Sequence, residues 1–507
     1  MSNVTSFPLS DPGPPVAAEA EALNAAWVLL ATILVFWEQA GFAMWEAGSL
    51  PKRSLNSILL KNMCDAAISA FAFFSFGYAF AFGDGGRFIG HSNFFMTGLS
   101  ESDYPTWFFQ WAFAATAATT VSGCMAERTR FTAYLVYSFF ITAFVYPVVV
   151  RWLWADPGWL CAWGENGFAG KGVIDFAGSA VVHMLGGVAG LVGSKIVGPR
   201  KGYFTAEKDR STFRGHSMAL TTLGVYVRPR YRTRSCGLMC FVAPHLRPFR
   251  AAVAHLVCAR PFSMLQCLWF GWFGFNAGYT LKLTDGMWKT AALICVNTAL
   301  SPAASVISVL AVEKYSAGYW NASAAMNGVV AGLVGITGPC GVVDPWASIV
   351  IGLVSGLVYS GGWRMHEKLQ VDDPVHAIAV HAWPGAWGCI ASGLFAVPKH
   401  VNFMGYNARE GLLYSGDGGQ FGIQLLGVLV VLVWTVATSA ACFGALHAAG
   451  LLRVSPEDEE VGVDVAEHGE PLLKYEQASP RAVEVEATST KSSEVGEITD
   501  MPNVSSV

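Results

Sequence analysis

The sequence predicts an all-α polytopic membrane protein: eleven transmembrane helices, arranged as two inverted five-helix repeats plus a final helix. Three observations predict it. The chain is 53% hydrophobic but only 13% charged, about half the charge of a soluble domain. Apolar stretches of roughly 20 residues, enough to cross a bilayer, recur along most of its length. Finally, "DFAGSAVVHMLGG" (175–187) and "DPVHAIAVHAWPG" (373–385) each place a His eight residues after an Asp in apolar sequence, with the two His 198 positions apart (381 − 183).

The spans fall near 25–48, 57–83, 106–127, 131–154, 173–197, 267–283, 288–312, 321–338, 342–363, 378–397 and 422–449. Residues 1–24 contain no Lys or Arg. A cleaved leader needs a basic start, so the first apolar helix is expected to act as an uncleaved insertion signal. Basic residues gather in the odd connections: Lys52, Arg53 and Lys61; Arg128 and Arg130; Arg200, Lys201, Lys208, Arg210 and Arg214; Arg364 and Lys368. The positive-inside rule then puts the N-terminus outside and the C-terminus in the cytosol. The expected organisation is an extracellular segment 1–24, a membrane domain 25–450 and a cytosolic tail 451–507. The tail holds 13 acidic and 4 basic residues, and its composition from Glu476 onward predicts disorder.

A formal charge of −4 gives no reason to expect a nucleic-acid partner, and the 11 Cys show no C-x-x-C pair or metal spacing. No nucleophile set or phosphate loop is present either. The expectation is a non-enzyme without metal or cofactor.

The two Asp-x7-His units fall in spans five and ten, which suits two halves of five helices. An odd number of spans per half inverts the second half in the membrane. Inverted repeats are characteristic of transporters, whose substrate path runs near the midplane between the halves. In a soluble domain, His183 and His381 would read as core histidines satisfied by local hydrogen bonds. Within a membrane span, ionisable residues more often face a pathway.

Several further stretches converge: "QAGFAMWEAG" (39–48), "FGYAFAFG" (76–83), "FAATAATTVSGCMAER" (113–128), "GHS" (215–217), "WFGWFGFNAG" (269–278), "VVDPW" (342–346) and "GLLRVS" (450–455). With the two histidine units, they resemble the ammonium transporters (the ammonium transporter / methylammonium permease / Rhesus family), in particular the eukaryotic plasma-membrane branch. The resemblance covers nearly all of residues 25–470. It implies a homotrimer in the lipid bilayer, each protomer with its own narrow, mainly hydrophobic pore for ammonium or ammonia, and for methylammonium. By motif position it makes Trp154 the vestibule tryptophan and Phe113 and Phe275 the stacked gate. Phe109 would flank the recruitment site, and Asp175 would lie just below it. His183 and His381 become the twin pore histidines.

The chemistry suits the problem. Potassium matches ammonium in size and charge. An aromatic face attracts both, by roughly 0.5–2 kcal/mol. An apolar gate separates them, because ammonium can shed a proton and cross as ammonia while potassium stays charged and pays the cost of entering the bilayer. Neutral imidazoles can donate from one nitrogen and accept at the other, so a pair bridged by a shared proton could carry the released proton. Taken alone, Phe113 and Phe275 would read as helix packing, Trp154 as an interfacial belt residue and Asp175 as a helix cap.

The sequence departs from the family pattern in four places. Tyr279 stands where relatives usually have Ser, which points to a narrower or rearranged recruitment site. Arg151 stands where relatives often have His, adding positive charge near the outer mouth. In the tail motif "GVDVAEHG", Asp464, His468 and Gly469 are kept, but Ala466 replaces the Thr whose phosphorylation closes the pores of plant relatives. Last, residues 227–266 carry seven Arg, four Pro and no acidic residue, and interrupt span six. They are either a loop that bulges from a split helix or a retained intron; joining the flanks restores "GHSMALTTLGVYCLWFGWFGFNAG", a full apolar span. Two rival functions stand beside transport: an ammonium sensor acting through the tail, and a Rhesus-like channel for neutral ammonia.

Overall fold

The computed structural model describes residues 14–164, 167–205, 209–218, 221 and 264–469. Among these the chain is helical, with isolated β-bridges and no strand. In chain order the main helices are α1 (Pro14–Ser49), α2 (Lys52–Phe82), α3 (Tyr104–Cys124), α4 (Phe131–Trp154), α5 (Ser179–Val197), α6 (Met264–Gly278), α7 (Met287–Ala317), α8 (Ala322–Thr337), α9 (Pro345–Lys368), α10 (Ala377–Phe395) and α11 (Gly419–Ala448). Seven of them (α1, α2, α4, α5, α7, α9 and α11) are long and apolar enough to cross a membrane. α3 is less apolar because its first half carries Tyr104, Pro105, Trp107, Gln110 and Trp111; its second half is largely Ala, Thr, Ser and Gly. Those residues are buried against other helices, and small side chains let helices approach closely in lipid. Wide π turns interrupt α2 at Phe73–Gly77 and α4 at Ile141–Val145, and another opens α5 at Ser179–Met184, a distortion often found at functional sites.

Two helix contacts are set by glycine. Along α1 and α6, Cβ atoms on Gly271, Gly274 and Gly278 would meet Glu38, Leu34 and Ala31 at 2.3–2.5 Å, and one on Gly41 would meet Leu268 at 2.8 Å. The pair is antiparallel. Beyond it, Gly48 of α1 sits against Thr221. Along α5 and α10 the contact is reciprocal. A Cβ on Gly187 would meet the Ala382 amide nitrogen at 2.3 Å, and one on Gly385 the Met184 nitrogen at 2.7 Å.

At the end of the bundle that holds the tail, Arg200 is fully buried and joins two acids. It donates to both oxygens of Asp372 and to Glu127, all at 2.9 Å. Burial alone would raise the Asp372 carboxyl, but the Arg200 and Arg128 guanidinium groups bring it down to about 2. The tail folds back here as two short helices, α12 (Pro456–Val461) and α13 (Val463–His468). The disorder expected from Glu476 onward and the insert 227–266 lie outside the described residues, apart from the start of α6.

Candidate functional site

Asp175 organises the entry to α5. Its Oδ2 accepts from the N–H groups of Ala180 and Val181, both at 2.9 Å. Gly178, at φ 103°, makes the left-handed turn that reverses the chain into the helix. The opening π turn contains His183. On α10, Oδ2 of Asp373 accepts from Ile378 and Ala379 at 2.8 and 3.3 Å. Each Asp therefore sets the helix that carries a histidine.

The two histidines come together although 198 positions separate them (381 − 183). Both are fully buried, and their rings lie 5.3 Å apart at 26°. Sequence reasoning expected imidazoles bridged by a shared proton. The two ring planes are nearly parallel, and none of their four nitrogens has a hydrogen-bond partner among the described residues. Trp272 lies beside His183, its ring 4.9 Å away at 18°.

From the histidines an aromatic column runs in one direction. Phe275 lies 5.3 Å from His183, and Phe113 stacks on Phe275 at 4.0 Å and 29°. Beyond them Trp154, Tyr279 and Phe109 surround Phe113 at 6.1, 5.5 and 4.7 Å. Trp154 Nε1 donates to the Asp175 carbonyl at 2.8 Å, so the cap also fixes this indole. On the other side of the pair, the Phe42 ring lies 6.1 Å from His381. Sequence reasoning missed Trp272 and Phe42. A helical signal existed for Trp272, which stands three residues before Phe275 and shares its face.

Two sequence readings change. Span six was expected to run to residue 283, but the helix ends at Gly278. Tyr279 turns back there, with its ring 4.6 Å from Trp154 and its hydroxyl accepting from Gln110 Nε2 at 3.4 Å. Arg151 does not present its guanidinium to solvent. It is 1% exposed and donates to the carbonyls of Ala81, Gly83 and Gly86 at 3.3, 2.7 and 3.0 Å, because the end of α2 and the turn beyond it fold over it with their oxygens turned inward. In the tail, Asp464 docks within its own chain, accepting from the N–H groups of Asn56 and Ser57 at 2.9 and 2.7 Å. His468 packs edge-on to Phe131 at 5.3 Å, and Gly469 closes α13 at φ 65°. Ala466 is exposed.

Residues 26–227 and 237–472 match the Ammonium Transporter Family. The chain is 38% identical to "Ammonium transporter 1 member 3" of Solanum lycopersicum over 470 residues, which cover 89% of this chain and 93% of that one. It is 38% identical to "Ammonium transporter 1 member 1" of Arabidopsis thaliana, covering 83% of this chain and 80% of that one. The solved "Sensor Amt Protein" superposes with a TM-score of 0.73 at 30% identity, over 89% of this chain and 99% of the other. Candida albicans Mep2 superposes with a TM-score of 0.70 at 25% identity, over 86% and 87%. With this match across most of its length, the chain is a multi-pass membrane protein that belongs to the ammonium transporter family.

Proposed function

We propose that the chain moves ammonium across the membrane by splitting it into ammonia and a proton. The observation that carries this reading is the buried column Trp154–Phe113–Phe275–His183–His381, apolar except for the Trp154 N–H held by Asp175 and four histidine nitrogens that have no partner among the described residues. Trp154, Tyr279, Phe109 and Phe113 recruit the cation by cation–π attraction. Asp175 acts through position: it holds Trp154 and the α5 entry and keeps the local potential negative. At the Phe113–Phe275 gate an N–H bond of ammonium breaks; the proton forms a new N–H bond on a ring nitrogen of His183, next to Phe275, and ammonia keeps the electron pair as it enters. Ammonia then hydrogen-bonds to the histidine nitrogens in passing. The paired imidazoles carry the released proton separately from the ammonia, each accepting at one ring nitrogen and donating from the other. One positive charge crosses per ammonium.

The architecture proposed with this function is eleven spans with inverted halves, N-terminus outside and C-terminus cytosolic, in a plasma-membrane homotrimer. Residues 1–24, 25–450 and 451–507 form the outer segment, membrane domain and tail. Within the second, we propose that 227–266 is a retained intron. Its support is the register of α1 with its partner: Gly48 meets Thr221 and Gly41 meets Leu268. Seven positions on α1 thus span 47 in the sequence (268 − 221), and removing 40 makes the two sides equal. A mature transcript that contains these codons would refute it.

The deciding experiment is ammonium-dependent current in oocytes for the wild type, His183→Ala and His381→Ala. Loss of current in both variants is expected, and unchanged current ends the relay reading. A methylammonium flux without current would favour the Rhesus-like channel. A sensor reading is favoured by the likeness to the "Sensor Amt Protein" and by the docked tail. It predicts that Asp464→Ala alters downstream signalling while current is unchanged.

A further inference from the structure

One buried acid has no part in that pathway. Glu46 stands near the inner end of α1, 2% exposed. It lies one helical turn beyond Phe42, an advance of about 6 Å, and Phe42 is the ring next to His381. Its carboxylate is held from two sides: Asn62 Nδ2 donates to Oε2 at 2.7 Å, and the Ser122 hydroxyl donates to Oε1 and Oε2 at 2.8 and 3.0 Å. Both partners are neutral. Lys61, next along α2, points its ammonium to the Thr129 carbonyl at 3.4 Å.

Gly123 shows where the carboxylate faces. A Cβ there would meet Glu46 Oε1 at 2.7 Å and the Val375 side chain at 2.5 Å. Val375 leads directly into α10 and His381. The acid therefore continues the line His183, His381, Phe42 on the side away from the gate.

We propose that Glu46 is the inner proton-transfer site of the pathway, where ammonia is converted back to ammonium. This rests on the transport reading above. The proton released from ammonium at the gate reaches the carboxylate through the histidines and forms an O–H bond. Ammonia arriving past Phe42 then takes that proton: the O–H bond breaks, an N–H bond forms, and the carboxylate is regenerated as ammonium leaves. No electrons change hands. A buried carboxylate held by neutral donors suits both states, since two hydrogen bonds steady the anion while burial favours the acid. The titratable groups that face it are Lys61 and Asp65 of α2, Cys124 at the end of α3, and Tyr134 and Tyr137 of α4.

The test uses the full chain in oocytes, with ammonium current recorded while cytosolic pH is varied. Glu46→Gln keeps the shape and an acceptor for both donors. Its maximal current should fall by at least about tenfold, the lower end of what acid–base catalysis contributes. Its current should lose dependence on cytosolic pH, with half-saturation for external ammonium unchanged. Glu46→Asp should retain the pH dependence. Ser122→Ala, which removes one donor from the carboxylate, should shift its midpoint upward. Wild-type current and pH profile in Glu46→Gln at normal surface abundance would overturn the proposal. If that variant fails to reach the surface, a wild-type profile in Ser122→Ala overturns it instead. If the wild type itself carries neither current nor methylammonium uptake, the transport reading fails and the role of Glu46 falls with it.

Discussion

Asp175 and Asp373 cap the two histidine-bearing helices in the same register. Each accepts hydrogen bonds from N–H groups five and six residues further on. Each also stands eight residues before a buried histidine and twelve before the glycine that seats one helix on the other. Only Asp175 is linked to Trp154.

That asymmetry separates capping from recruitment. Ala at either position should cost about 1–2 kcal/mol of stability, as lost caps do, seen as a lower melting temperature in detergent. Asn keeps the acceptor and should cost less. Asp175→Asn should also raise the half-saturation for external ammonium about tenfold, the effect of one charge roughly 10 Å away at an effective dielectric near 20. Asp373→Asn should leave it unchanged. Equal effects of the two Asn variants on half-saturation would contradict the assignment.

The stack of Phe113 on Phe275 leaves a hydrated cation no room. Phe275→Ala should raise potassium permeability relative to ammonium by about tenfold, since each 1.4 kcal/mol removed from a barrier gives that factor. Reversal potentials in mixed solutions measure it. A ratio equal to wild type would move the selectivity barrier elsewhere.

In the proposed recruitment site Tyr279 offers its ring more than its hydroxyl, whose bond to Gln110 is long at 3.4 Å. Tyr279→Phe should change half-saturation by about twofold or less. Tyr279→Ser should weaken it by about fivefold, corresponding to roughly 1 kcal/mol of cation–π attraction. If Ser bound ammonium more tightly, the ring would be an obstruction and not a ligand.

The Arg200 cluster should govern stability in acid. The Asp372 carboxyl lies at about 2, below its ordinary 3.8. Its contribution is therefore present above pH 3.8 and is lost as pH falls toward 2. Thermal unfolding in detergent should show this loss in that window. Arg200→Met leaves two buried acids unpaired and should cost about 3–5 kcal/mol at neutral pH. It should also abolish this part of the acid sensitivity.

The sequence exposed what is periodic or motif-borne: apolar runs, the doubled Asp-x7-His unit, and the residues of the aromatic column. It concealed what depends on how side chains turn. Arg151 read as a charge at the mouth, but the carbonyls that enclose it come from the end of α2 and the turn beyond it, about 65 residues earlier. Trp272 lies 4.9 Å from His183, a neighbour that the spacing of the two histidines does not reveal. Glu46 lies within "QAGFAMWEAG" (39–48) without a local sign of its setting, because its partners Asn62 and Ser122 come from two other helices.

Gly187 against Ala382 and Gly385 against Met184 press α5 and α10 together backbone to backbone. Neither helix can rock against the other without breaking both contacts. The proposed passage is therefore a fixed sieve and not a machine that cycles. Its throughput is set by how fast each ion sheds its water and proton, so flux should follow the electrochemical gradient in either direction and show little of the steep temperature dependence that a moving carrier imposes.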